Sequence, residues 1–242
     1  MSLLHSNIIG DKGQELLILH GFLGMSDNWK THAKNWSKEG YRVHLIDQRN
    51  HGRSFWSNEF NYELMAEDLA EYCKVNKLKN VLLLGHSMGG KTAMYFACKY
   101  PSLLKAMVVA DIAPKKYMPH HQQILQGLSE LNFDEIKSRN VADTFLSQYV
   151  AEPGVRLFLL KNLFWKQAGK LGLRMNIEVL KNASIAIGEN LKSDAHSSHP
   201  CLFIKGELSD YILDSDTLTI QHFFPNADQV TINGAGHWLH AE

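Results

Sequence analysis

The stretch Val81-Leu-Leu-Leu-Gly-His-Ser-Met-Gly-Gly-Lys-Thr-Ala-Met94 decides the fold of this chain. Four apolar β-formers run into Gly85-His86-Ser87-Met88-Gly89, and a helical pattern starts at once. Strand, tight turn and helix are the setting in which Gly-x-Ser-x-Gly becomes a nucleophile elbow. Such a turn leaves no room for a side chain at Gly85 or Gly89, and it holds the serine in strained backbone with its hydroxyl above the sheet. Because the turn opens a helix, free backbone N–H groups and the positive dipole end lie beside Ser87. The pattern predicts Ser87 as a nucleophile toward a carbonyl carbon, with the Met88 N–H as one donor to the oxyanion.

Nucleophilic serine chemistry also needs a base, an acid that orients it and a second oxyanion donor. Near the end of the chain, Gln229-Val-Thr-Ile-Asn-Gly-Ala-Gly-His237-Trp238 reads as a strand, a glycine turn and a histidine. His237 is the candidate base. The apolar strand Leu16-Leu-Ile-Leu19 runs into His20-Gly21-Phe22-Leu23-Gly24, which offers the Phe22 N–H as the second donor. For the acid, two aspartates compete. Asp111 closes the run Ala106-Met-Val-Val-Ala110, and Asp210 ends Gly206-Glu-Leu-Ser-Asp210 after the strand Cys201–Lys205.

Around these pieces, strands and helices alternate, which predicts an α/β protein: a mostly parallel sheet covered by helices on both faces. Strands are expected near 3–9, 16–20, 42–47, 81–85, 106–110, 201–205 and 228–232. Helices are expected near 28–38, 62–75, 88–99 and 214–223, with Asn61 as the N-cap of the second. The alternation stops between Pro114 and His199. No strand pattern is visible there, and apolar helical stretches follow one another at Ile124–Leu131, Val155–Trp165 and Met175–Leu180. The expected organisation is a core of residues 1–113 and 200–242, with 114–199 inserted as a helical cap over the site. In the apolar second stretch, Leu160, Phe164 and Trp165 are candidates to line an acyl pocket.

Other chemistry-bearing residues read as structural. Asp47, Arg49 and His51 follow the strand Tyr41–Ile46, where a carboxylate and a guanidinium two residues apart serve to fix a loop. The pairs His120-His121 and His196…His199 fall in expected loops without the fixed spacing that metal ligation needs. They read as surface histidines, and no metal site is expected. Cys73, Cys98 and Cys201 are too far apart to form an evident framework, and read as buried free thiols of a reducing compartment.

The 242 residues are 45% hydrophobic and 21% charged with zero formal net charge. That is the composition of a globular protein without a field that favours nucleic acid or an anionic membrane. No apolar run approaches a spanning length, and the N-terminus shows no signal-peptide pattern, so a cytoplasmic location is expected. Oligomeric state is not legible.

Taken together, His20-Gly21-Phe22-Leu23-Gly24, Asp47-Gln-Arg-Asn-His-Gly-Arg-Ser54, Gly85-His-Ser-Met-Gly-Gly90 and Gly234-Ala-Gly-His-Trp238 occur in the order and spacing of α/β-hydrolases. With Val109-Ala-Asp111-Ile-Ala-Pro114 and Lys91, the chain specifically resembles the YbfF-type esterases. This resemblance covers nearly the whole chain and is faintest at 116–195. It implies an α/β-hydrolase fold and cofactor-free hydrolysis of a small ester or thioester by a Ser-Asp-His triad. The family places its acid at the Asp of Asp-Ile-Ala-Pro, which is Asp111 here. The fold more often uses a Gly-x-x-Asp loop, whose acid position falls on Ser209, one residue before Asp210. Relatives also carry a further helix beyond the position of His237. Carbon–carbon hydrolases, cofactor-free lyases and slow-turnover receptors share this fold, so fold alone does not separate them.

Overall fold

The computed structural model describes residues 3–240. The chain opens with strands β1 (Ser6–Ile9) and β2 (Gln14–Leu19), helix α1 (Lys30–Lys38) and strand β3 (Tyr41–Ile46). Helix α2 (Tyr62–Val75), β4 (Val81–His86), α3 (Met88–Lys99) and β5 (Leu104–Ala110) follow. Next come α4 (Gln122–Ser129), α5 (Arg139–Leu146), α6 (Pro153–Leu160), β6 (Leu163–Gln167), β7 (Lys170–Leu173), α7 (Ile177–Asn182) and α8 (Ser184–Gly188). Then β8 (Cys201–Gly206), α9 (Thr217–Phe223) and β9 (Ala227–Ile232) complete the described elements.

Seven strands form one sheet in the order β1-β3-β2-β4-β5-β8-β9. β1 pairs antiparallel with β3, and the other pairings are parallel. The architecture is the expected mostly parallel sheet with helices on both faces. From β2 the chain steps outward to β3, then returns to place β4 on the other side of β2. The order therefore reverses between β2 and β4, and loops leaving their carboxyl ends diverge to open a crevice. Leu19 lies opposite Gly85 across this pair, so the loop after β2 and the turn after β4 start side by side.

Periodicity explains the two layers. β2 and β4 alternate their aliphatic residues between faces. Leu17, Leu19, Val81 and Leu83 join Leu69, Ala93, Phe96 and Ala97 of α2 and α3 in one core. Leu16 and Ile18 face Ala33 of α1 in another, with Val43, Leu45 and Trp29. Ala93 and Ala97 are fully buried, and their small side chains let α3 approach the sheet closely. The Asn61 side chain accepts from the Leu64 amide at 2.9 Å, the expected N-cap of α2.

The segment between β5 and β8 departs from an all-helical reading. Helix α6 stops at Leu160, and Leu163–Gln167 and Lys170–Leu173 form an antiparallel hairpin. The turn carries Gly169 at φ +74°, a left-handed position that glycine takes without cost. Leu163-Phe-Trp165 are β-formers with apolar character on both faces, which helical periodicity alone cannot distinguish from a buried helix. The helices of this segment have their own core, built on residues such as Leu125, Leu146, Leu159, Leu160 and Leu180. That core also includes Phe22, Leu23 and Met88, so it continues into the loop and turn that flank Ser87.

Candidate active site

Two adjacent strands end in the same unusual way. After β4, Ser87 has φ +52° and ψ −117°, and after β5, Asp111 has φ +51°. Both are non-glycine residues in left-handed backbone, which persists only where the surroundings enforce it. The enforcement is visible. The Ser87 amide donates to the Ala110 carbonyl at 3.0 Å, and the Asp111 amide donates to the Ile204 carbonyl at 2.8 Å. A Cβ on Gly85 would sit 2.2 Å from the Gly89 carbonyl oxygen, and one on Gly89 would sit 2.4 Å from that of Leu19. The turn is closed against helix on one side and strand on the other.

Asp111 is completely buried. Its carboxylate accepts from the Gly206 amide at 3.1 Å, from the Ser209 hydroxyl, and from His237 Nδ1 at 2.7 Å. Three donors satisfy a charge that would otherwise be costly to bury. Donation through Nδ1–H leaves Nε2 of His237 as the basic nitrogen. The His237 ring stacks on Tyr211 at 3.7 Å and 14°, and its carbonyl accepts from His86 Nε2 at 2.8 Å. Burial pulls the pKa of His86 well below the ordinary histidine value, so this neighbour stays neutral beside His237. Asp210 does not take part in this cluster, whereas Ser209, at the Gly-x-x-Asp position, bonds to Asp111.

Ser87, Met88 and Phe22 border one small cavity of about 30 Å³. Met88 is the first residue of α3, so its N–H has no intrahelical acceptor. The Phe22 loop is pinned from behind. The Leu23 amide donates to His51 Nε2 at 3.3 Å, and His51 Nδ1 donates to the Arg49 carbonyl at 2.9 Å. Burial lowers the pKa of His51 to about 3, which keeps Nε2 free to accept. Asp47 accepts from the Ser26 and Arg53 amides at 2.7 and 2.9 Å, and Arg49 clamps Asp68 at 2.6 and 2.8 Å. These three residues build the scaffold behind the Phe22 loop and do not line the cavity.

The rest of the cavity wall was not foreseen. Tyr62, Ile112, Tyr117, Met118, His121, Ile187, Gly188 and Tyr211 are among the residues that form it. His121, expected on the surface, is instead packed edge-on to Phe22 at 5.2 Å, and burial lowers its pKa to about 3. The acyl-pocket candidates lie elsewhere. Leu160 is buried in the insertion's own core. Phe164 lines a separate groove of about 470 Å³ under the Arg174 guanidinium. Trp165 is 58% exposed on β6. Adjacency in a linear apolar run could not reveal this, because the hairpin turns alternate residues to opposite sides.

Among the described residues no cluster of three or more histidine, cysteine, aspartate and glutamate side chains could hold a metal. No described helix is long and apolar enough to cross a membrane. Cys73, Cys98 and Cys201 are free, and burial raises their thiols to about 12, 11 and 12, so none is a ready nucleophile.

The profile described as the alpha/beta hydrolase fold matches residues 15–242. Esterase YbfF of Escherichia coli is 32% identical over 233 residues, covering 94% of this chain and 87% of that protein. The sn-1-specific diacylglycerol lipase ABHD11 of Danio rerio is 36% identical over 234 residues, covering 94% of this chain and 74% of that protein. A solved structure titled "Marine microorganism esterase" superposes with a TM-score of 0.95 at 44% identity, covering 100% of this chain and 95% of that one.

Proposed function

This chain belongs to the α/β-hydrolase family and is an esterase-type hydrolase, and from that premise we propose that it cleaves small carboxylic esters or thioesters through an acyl-enzyme on Ser87. The observation that carries the reading is the three-donor Asp111 carboxylate bonded to His237 beside a strained Ser87. In this reading Asp111 holds the His237 tautomer and stabilises the imidazolium. Nε2 of His237 takes the hydroxyl proton as Ser87 Oγ bonds to the acyl carbon. The Phe22 and Met88 amides receive the oxyanion. Collapse breaks the bond to the leaving alkoxide or thiolate, which takes the proton from His237. Water, deprotonated by the same nitrogen, then releases the acid and restores Ser87. No cofactor enters any step. The free thiols of Cys73, Cys98 and Cys201 support a cytoplasmic setting.

The cavity supports a short-chain preference. At about 30 Å³ it holds little more than one water molecule, far below the usual volume of a ligand pocket. A short acyl group therefore enters with the smallest displacement of the wall, and long chains require the insertion to move. An organophosphonate probe tests the core of the reading. It should label Ser87, and Ser87→Ala should abolish labelling and lower ester turnover by several orders of magnitude. Labelling of a different serine, or near-full activity in Ser87→Ala, would refute it.

A further inference from the structure

Lys91, in the first turn of α3 and four residues from Ser87, is fully buried. Its Nζ donates to the carbonyls of Lys115 at 2.8 Å, Gly188 at 3.4 Å and Glu189. Lys115 lies where the chain leaves β5 for the insertion, and Gly188 and Glu189 lie at the end of α8, where it turns back. An ammonium has three N–H donors and no acceptor, and here each donor has a carbonyl. The rings of Tyr62 and Tyr117 flank the amine at 5.7 and 4.9 Å, in cation–π range. The two limbs also meet directly, through the Tyr117 amide and the Gly188 carbonyl at 2.8 Å. Tyr62, Tyr117 and Gly188 all border the Ser87 cavity. Burying an ammonium is costly, and an apolar side chain of the same length would fill the space. What the lysine adds is a bond to both limbs at once.

We propose that Lys91 is a positioning and specificity-determining residue: it ties both limbs of the insertion to the elbow helix and holds Tyr62, Tyr117 and Gly188 as a closed wall beside Ser87. The wall then limits the acyl group that reaches the nucleophile. The acyl part rests on the function proposed above; the clasp itself does not.

Lys91→Met keeps the length and removes the donors. Amide hydrogen exchange at 116–118 and 187–190 should accelerate about tenfold or more, the scale of losing charge-assisted hydrogen bonds. The kcat/KM ratio of an octanoyl to an acetyl p-nitrophenyl ester should rise by about tenfold on the same scale, through KM. Unchanged exchange overturns the clasp. Faster exchange with an unchanged acyl profile overturns the role in specificity. A wild-type protein that turns over no ester counts against the function, while the exchange result stands by itself.

Should Lys91→Met fail to fold, the wild-type protein decides. A Lys91 amine held by three carbonyls between the two limbs should be acetylated by an N-hydroxysuccinimide ester at least about tenfold more slowly than the exposed Lys166. Labelling of Lys91 as fast as Lys166 overturns the proposal.

Discussion

The chemistry of the proposed triad depends on two residues in left-handed backbone, Ser87 and Asp111, each at the end of a central strand. A carboxylate at the end of β5 reaches His237 because positive φ turns its side chain across the sheet edge toward β8 and β9. Asp111→Asn should lower turnover by about 10⁴-fold through loss of the correct tautomer, with the fold retained. Asp210→Asn should leave kcat within a few-fold of wild type, since Asp210 makes no bond to His237. Steady-state kinetics of both variants checks this, and the reverse ranking would move the acid to the loop after β8. Both aspartates were candidates in the sequence because each follows an apolar strand. In the fold it is Asp111 that bonds to His237, and the Ser209 hydroxyl donates to Asp111 from the position where the fold often keeps its acid.

At the scale of elements, the elbow is a packing problem solved by glycine. Gly89→Ala would drive a methyl group to 2.4 Å from the Leu19 carbonyl oxygen, which is backbone of a central strand and cannot yield. Overpacking of this kind costs about 1–3 kcal/mol or more. Urea unfolding should show the loss, together with reduced Ser87 labelling, because α3 must shift. The insertion gives a second test. Ile187 lines the cavity and Trp165 stands exposed on the hairpin. Ile187→Ala should shift the acyl-length optimum toward longer chains, and Trp165→Ala should leave it in place. The opposite pattern in a p-nitrophenyl ester series would return the acyl pocket to β6. Helices with capping residues and clear periodicity, such as α2 after Asn61, were legible in the sequence. The hairpin was not, since its apolar residues fit a helical and an extended pattern equally well.

Across the whole molecule, several buried and half-buried histidines are held neutral around the loops that shape the site. Burial lowers His51 to about 3, His121 to about 3 and His240 to about 4, and lowers His20 as well. In the unfolded chain these groups titrate near 6.5. Their folded values lie below that, so the unfolded state binds more protons between about pH 6.5 and 3. The stability they allow is fully present above pH 6.5 and is lost as pH falls through that window. Urea midpoints measured from pH 7.5 to 4.5 should decline, with proton uptake on unfolding. His51→Gln, which keeps an acceptor for the Leu23 amide, should flatten the decline.

Local composition and order determined much of this protein. A strand, a glycine turn and a helix at Val81–Met94, glycine-flanked histidine at 237 and alternating apolar segments specify a parallel sheet with a serine at its edge, because those signals act over a few residues and obey backbone sterics. Which aspartate meets His237, which side chains close over Ser87, and where His121 and Lys91 end up depend on contacts between residues far apart in the chain. Asp111 and His237 are 126 positions apart, and Lys91 and Glu189 are 98 apart. Only the folded packing of the sheet against the insertion brings those groups within hydrogen-bond distance, and no periodicity in the sequence encodes that distance.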